Sequence, residues 1–377
     1  MKDDNAAQLL ATVMQWADPD TIQARVPSLQ LLADYKYDQY QRYGPGRRFV
    51  ESLALWLVQF EEADRATALS LVQDRLVFIS EAEIAHLVSL AYPDVIVQER
   101  LRLVAEENDI AAYRVGRLIK HPRFEELRLR SLYLGLSDGA HTNDLRRASY
   151  GAISNEQIWQ AYELGEAKAD DMLRELRIAL ASSGRIANLP GDLKMKENER
   201  FSLVWLVDDF SGSGNTYIRF DSKEKRFKGK IKKIYDMVLD GGLVDPDYYE
   251  VYLLLYVATR QAIDHIEYWT ERFTSERGLK PLRLHVLHPI EKDVALSEAS
   301  DRDIVKMLET PRYYDERASD RHIAIGGTAD ARFGFADCSL PLVLSHNTPN
   351  NSVYAFWGPE EYSFFGLFPR VSRHRES

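Results

Sequence analysis

The run Leu203–Val207, LVWLV, is apolar at every position and ends in two adjacent carboxylates, Asp208 and Asp209. A strand with no polar face must be covered on both sides, the condition of a central strand in a parallel sheet clothed by helices. Two later stretches also read as strands: YYEVYLLLYVA, ending at Ala258, and LRLHVLHPI, ending at Ile290. Between them TRQAIDHIEYWTERF reads as a helix. Upstream, LRSLYLGLSDGAH is a short apolar run feeding a Ser-Asp-Gly turn. A long helix is expected after it, roughly Glu156 to Ala181, with Ile158, Tyr162, Ala169, Met172, Leu176 and Leu180 on one face. SSGRIANLPGD is expected to be a loop. Buried strands alternating with helices point to an α/β fold with a parallel sheet flanked by helices.

The first third has a different grammar. In RRFVESLALWLVQF, Phe49, Leu53, Trp56 and Phe60 share one helical stripe. YGPGRR reads as a turn between helices. Ser80 and Glu83 stand in capping-box spacing before the stripe Ile84, Leu87, Val88 and Ala91, with Pro93 expected to end that helix. No fixed period supports a solenoid. The expected organisation is an all-α N-terminal domain over residues 1–125 and an α/β domain over 126–377, joined near IKHPRF.

Composition narrows the classes. The chain has 377 residues and a formal charge of −10, so it is not built to coat nucleic acid or anionic membrane. Its single cysteine, Cys338, allows neither an intramolecular disulfide nor a cysteine-rich zinc site. The opening MKDDNAAQLL lacks a basic-then-apolar signal pattern, and runs such as LALWLV are far too short to span a bilayer. A cytoplasmic protein with no membrane attachment is expected. His285 and His288 alternate faces on a strand and are not expected to share a metal.

Ligands of open parallel sheets sit beyond the C-terminal strand ends. Asp208 and Asp209 stand there, and Ser211, Gly212, Ser213, Gly214, Asn215 and Thr216 follow as a tight loop of small residues. Such a loop turns backbone N–H groups inward and accepts one phosphate. It holds no lysine, which excludes a Walker A loop. Tyr217 stands where a dinucleotide fingerprint needs its third glycine. A ribose 5-phosphate answers both halves, its diol on the carboxylates and its phosphate in the loop.

VWLVDDFSGSGNT resembles the 5-phosphoribosyl-1-pyrophosphate loop of type I phosphoribosyltransferases, with Phe210 and Ser211 departing slightly from the usual aliphatic choices. The resemblance implies a phosphoribosyltransferase-like fold and a transferase (glycosyltransferase) activity. It assigns Asp208 and Asp209 to the ribose hydroxyls, as the catalytic pair, and 211–216 to the 5-phosphate. Mg2+ is the implied cofactor, with metal ligands unassigned. The family's pyrophosphate loop corresponds to Ser137, Asp138, Gly139 and Ala140, which lack the basic residue many members carry; Arg146 and Arg147 follow closely. FGFADCSLPLVLSHNTPNNSVYAFWG, Phe333 to Gly358, resembles the C-terminal signature of a phosphoribosyltransferase-like group linked to bacterial conflict systems. That kinship implies a role in antiviral, anti-phage defence. Asp337, His346 and Asn347 are its candidates for base or nucleotide contact, and Trp357 is expected in the core.

The expected ligand is therefore phosphoribosyl pyrophosphate or a nucleotide, with an acceptor the residues do not identify. A non-catalytic nucleotide sensor, or a defence component docking a protein partner through the helical domain, is the alternative. Homodimers are common in the family. The basic stretch Asp221 to Lys233 is either a lid, a nucleic-acid contact or a solvated helix face.

Overall fold

The computed structural model describes residues 3–44, 46–161, 165–183, 199–240, 242–319 and 321–370. Its strands are β1 Val77–Ile79, β2 Ser131–Gly135, β3 Ile158–Gln160, β4 Leu203–Ser211, β5 Arg219–Asp221, β6 Arg226–Lys228, β7 Glu250–Thr259, β8 Leu282–Ile290 and β9 Leu342–Leu344. The chain divides into two compact units, Met1–Glu83 with Glu291–Ser377, and Ile84–Ile290. This is not the expected division near residue 125.

The unit Ile84–Ile290 holds a five-stranded sheet in the order β3-β2-β4-β7-β8, parallel throughout. Alternate residues sort onto two faces. Val204, Leu206, Leu253 and Leu255 join a core with Met172, Leu176 and Leu180 of the helix Glu166–Ser182, Ile231 and Tyr235 of Lys230–Asp240, and Ile266 and Phe273 of Arg260–Arg277. The residues between them carry the other face, where Trp205 stacks on Tyr252 with ring centroids 4.1 Å apart. Glu99 of the helix Val97–Glu107 reaches that face, 3.5 Å from His285 Nε2. A parallel sheet needs both faces covered, and helices N-terminal to residue 125 supply the second layer. That is why the boundary lies earlier than the change in sequence pattern suggests.

Three local expectations are corrected. Residues 156–160 are not part of the long helix. Asn155–Gln157 is a 3-10 turn and Ile158–Gln160 is the edge strand, paired with Tyr133–Gly135. Gln157 Nε2 donates to the carbonyls of Arg128 at 2.6 Å and Ser131 at 3.0 Å, which pins the chain to the sheet before the helix begins at Glu166. Pro93 does not terminate its helix. Glu81–Leu90 passes into a π-helical turn, Ala91–Ile96, and on into Val97–Glu107; the wider π register tolerates a residue without an N–H. The strand β4 runs past Val207 to Ser211. Tyr162 and residues 184–192 of the expected loop lie outside the described residues.

The unit Met1–Glu83 with Glu291–Ser377 has its own core. Phe49, Leu53, Trp56 and Phe60 are buried together with Tyr313, Phe356, Phe364 and Phe368. Trp56 Nε1 donates to Ala355 O at 2.9 Å, tying the early helix to the C-terminal segment. The parallel pair β1–β9 joins Val77–Ile79 to Leu342–Leu344. The capping box forms as expected, Ser80 N donating to Glu83 Oε2 at 2.8 Å and Glu83 N to Ser80 Oγ at 3.2 Å. Trp357 is in this core.

Asp315 ties this unit internally and makes it acid-sensitive. Its carboxylate is buried and accepts from the Arg317 guanidinium at 2.6 and 2.9 Å and from Ser363 N and Oγ, each at 2.9 Å. The Arg317 hydrogen bond, ahead of burial's opposing effect, holds its pKa below the ordinary aspartate range. Its stabilisation is therefore complete above about pH 4 and lost as pH falls through the depressed folded value. Asp315→Asn should cost about 1–3 kcal/mol at neutral pH. The gap between variant and parent in denaturant titrations should narrow steadily below about pH 4.

Candidate functional site

The sheet order reverses between β2 and β4, so the loops after these strands diverge and leave a crevice at their C-terminal ends. β2 stops at Gly135, opposite Val207, and Leu136 N donating to Val207 O at 2.9 Å is the last bond between the strands. β4 continues alone against β7, with Asp208 opposite Leu255 and Ser211 opposite Ala258. The segment Ser137–Ala140 turns over the end of β4, with Ser137 reaching Asp208 and Gly139 reaching Asp209.

Asp208 and Asp209 are neighbours on one strand and so face opposite sides of the sheet. Asp208 lies on the side of Val204 and Leu206 and is 1% exposed. It accepts from Ser137 Oγ, from Tyr217 OH at 2.7 Å and from Lys230 Nζ at 2.8 Å. Burial raises its pKa. The Lys230 charge opposes that rise, and the neighbouring Asp209 adds to it. Burial also raises the Tyr217 pKa, with the two aspartates adding to the effect, so the phenol stays protonated and donates.

Asp209 is half-buried on the other side. Gly139 lies against it: a Cβ there would sit 2.5 Å from Asp209 Oδ2. Glycine at 139 is what lets the first loop approach the carboxylate. Ala140 O accepts from Tyr256 OH at 3.2 Å, which fixes the loop to β7. His141 follows in the left-handed region, 3.1 Å from Asp144 Oδ2. Arg147 is exposed and lies 3.8 Å from the Asp144 carboxylate.

The second loop turns sharply at one glycine. Gly214 has φ +77°, and a Cβ there would meet His265 Cδ2 at 2.9 Å and Ala262 O at 3.0 Å. Thr259 holds the loop's start, donating to Gly212 O while accepting from Ala262 N. His265 Nε2 lies 2.8 Å from Ile218 O, so that nitrogen carries the proton; burial lowers the ring's pKa. Among the described residues, no backbone N–H of Gly212, Ser213, Gly214, Asn215 or Thr216 donates a hydrogen bond to a backbone carbonyl. Ser211 and Ser213 are buried and Thr216 is exposed.

The basic stretch is not one helix face. Arg219–Asp221 and Arg226–Lys228 form an antiparallel hairpin, and a helix starts at Lys230. Lys228 pairs with Asp221 and Glu224, each at 2.7 Å, and Lys232 pairs with Asp236. Gly229, at φ +124°, packs on the Tyr217 backbone, and this contact turns Lys230 inward to Asp208. Reading the stretch as a charge run missed that residue. The clue was the glycine immediately before a lysine at a helix start.

Asp337, His346 and Asn347 belong to the other unit, so the fold of Ile84–Ile290 does not itself gather them with the acid pair. Asp337 lies in the left-handed region and burial raises its pKa. Arg42 Nε donates to His346 O at 3.1 Å. Asn347 N donates to Leu344 O at 3.1 Å.

The parallel sheet with an acid pair and a small-residue loop at its switch point defines a phosphoribosyltransferase-like α/β protein. The model of the PRTase-CE family matches residues 53–370, and the chain belongs to that family. Neither the curated proteins nor the solved structures contain a match to it. Among the described residues, no helix is long and apolar enough to cross a membrane.

Proposed function

We propose that the crevice between β2 and β4 binds a ribose 5-phosphate moiety, carried by phosphoribosyl pyrophosphate or a nucleotide, and that the protein transfers phosphoribosyl to a nitrogen acceptor. The observation that carries the reading is the juxtaposition at one strand end. Asp209, half-buried and beside Gly139, stands next to a loop whose N–H groups pair with no backbone carbonyl. The nest takes the 5-phosphate. Asp209 accepts from ribose hydroxyls. The Ser137–Ala140 loop faces the bond at C1.

In the transfer, the acceptor nitrogen forms a bond to C1 as the bond from C1 to the pyrophosphate oxygen breaks. Pyrophosphate leaves with the electron pair, and the acceptor nitrogen loses a proton. The protein's part is positioning and electrostatics. Among the described residues, no group of three or more His, Cys, Asp or Glu side chains could hold a metal ion. Magnesium binds through one or two carboxylates plus substrate phosphates, so Asp209, the more accessible of the two, fits it with the ligand's own oxygens, and the sealed Asp208, held by three donors, does not. When bound, the ion supplies neutralisation of the leaving group. The defence setting rests on the resemblance of residues 333–358.

Calorimetry with phosphoribosyl pyrophosphate, ribose 5-phosphate and nucleoside monophosphates, with and without magnesium, tests the proposal. Binding of phosphoribosyl pyrophosphate that strengthens with magnesium is expected. Heats at the level of dilution for every ligand would overturn the reading.

A further inference from the structure

The first loop, Ser137–Ala140, contains no cation, although a pyrophosphate there would bring negative charge beside two aspartates. Lys230 stands one carboxylate away. Its ammonium is 2.8 Å from Asp208 Oδ2, and Ser137 Oγ donates to Oδ1 of the same carboxylate. The two atoms approach a single planar group from its two oxygens, so the ammonium borders the loop that lacks a cation. The Asp208 side chain is sealed at 2% exposure, whereas the Lys230 side chain keeps 29%. The lysine therefore reaches its buried partner from the open side. Its Nζ also lies 5.2 Å from the centroid of the Tyr217 ring, which lines its path.

The backbone fixes this position independently of the ion pair. Lys230 N donates to Thr216 O at 3.1 Å and Ile231 N to Tyr217 O at 2.9 Å, so the helix start is bound to the end of the phosphate loop. Gly229 has no room for a side chain, its Cβ position lying 2.7 Å from Tyr217 C. Two other lysines of the stretch are paired elsewhere, Lys228 with Asp221 and Glu224 and Lys232 with Asp236. A lysine on a four-carbon stem can exchange partners while its Cα stays fixed.

We infer that Lys230 supplies the missing cation of the first loop: Asp208 holds its ammonium in the free site, and the pyrophosphate group of an incoming ligand takes it over. The inference rests on the ribose 5-phosphate reading of the crevice and adds a residue to it. A ligand with only the 5-phosphate reaches the nest and has nothing to offer Lys230, whereas one with a pyrophosphate at C1 does. Lys230 therefore discriminates between ligands that share their sugar and 5-phosphate. A lysine serving stability alone would affect both equally.

The test is calorimetry on the full chain with phosphoribosyl pyrophosphate and with ribose 5-phosphate, each with magnesium, for the parent, Lys230→Met and Lys230→Arg. Lys230→Met should weaken phosphoribosyl pyrophosphate on the order of 10- to 100-fold, the value of one charge-assisted hydrogen bond. Ribose 5-phosphate should change less than about threefold, and Lys230→Arg should recover most of the loss. Equal affinity of parent and Lys230→Met for phosphoribosyl pyrophosphate would overturn the inference and leave the crevice reading standing. Parallel loss of both ligands would also overturn it, assigning Lys230 to structure. Should Lys230→Met not fold, Lys230→Arg and Lys230→Gln carry the same comparison of the two ligands. A parent that binds neither ligand overturns the crevice reading, and the inference falls with it.

Discussion

On the proposed reading, Asp209→Asn should weaken magnesium-linked binding of phosphoribosyl pyrophosphate by about 10- to 100-fold, the loss of a charged acceptor, and lower the melting temperature less than the neighbouring Asp208→Asn does. Asp208→Asn, one residue earlier, should do the reverse first: it should lower stability. The opposition follows from strand geometry. Asp208 faces the helix Lys230–Asp240 and is closed in by Ser137, Tyr217 and Lys230, while Asp209 faces the first loop and is only half-buried. Asparagine at 208 keeps an acceptor for Tyr217 but leaves the Lys230 ammonium without its counter-charge. The cost should be about 3 kcal/mol, at the lower end for breaking a buried pair because Lys230 retains solvent contact. Paired measurements of melting and ligand affinity on the two single variants check this. Equal stability loss in both would mean that the two side chains share one environment, contrary to their placement on opposite faces.

Much of this site was legible in the sequence, and the reasons are local. Leu203–Val207 has no polar position, so a two-sided burial follows from the strand itself. Gly212 and Gly214 within a serine-rich loop announce a tight turn, and the structure gives Gly214 the positive φ that such a turn uses. The split between Asp208 and Asp209 was half-legible. Adjacent strand residues must alternate, but which one is sealed depends on a helix that arrives at Lys230, beyond a hairpin whose charges mask it. The domain boundary was not legible at all. Helical stripes such as Ile84, Val88 and Ala91 say that a face is buried and are silent on what buries it. Helix Val97–Glu107 reads like the helices before it, yet Glu99 sits against His285 at the far edge of the sheet. Residues 291–370 carry an apolar strand, LPLVL, that reads like another member of the parallel sheet, and Leu342–Leu344 pairs with Val77–Ile79 instead. Pairing partners so distant in sequence leave no local trace.

Gly334→Ala should be the most damaging small substitution in the unit formed by Met1–Glu83 and Glu291–Ser377. Gly334 has φ +78°, and a Cβ there would overlap the Asn351 carbonyl oxygen and lie 2.7 Å from Ser352 O. The obstructing atoms are backbone, so no side-chain rotation relieves them. Nor can the neighbouring chain move away. Phe335 N donates to Asn350 O at 2.7 Å, Asn351 Nδ2 donates to Phe335 O at 3.2 Å, and Ser339 N donates to Phe333 O at 2.7 Å. These bonds clamp a loop in which Ala336, Asp337 and Ser339 all adopt positive φ. Each such residue carries a conformational cost on the order of 1–2 kcal/mol, so the loop persists only because residues 350–352 hold it. Shifting that segment would release several unfavourable conformations together. The positive φ alone costs an alanine about 1 kcal/mol or more, and displacing the clamp adds the hydrogen bonds it makes, each about 1 kcal/mol. A total near 3 kcal/mol is expected, read as a lowered denaturant midpoint with unchanged slope. Asn351→Ala separates the two contributions: it removes the side-chain clamp while leaving Gly334 in place, and should cost about 1–2 kcal/mol. A Gly334→Ala variant as stable as its parent would mean that the 350–352 segment is free to move.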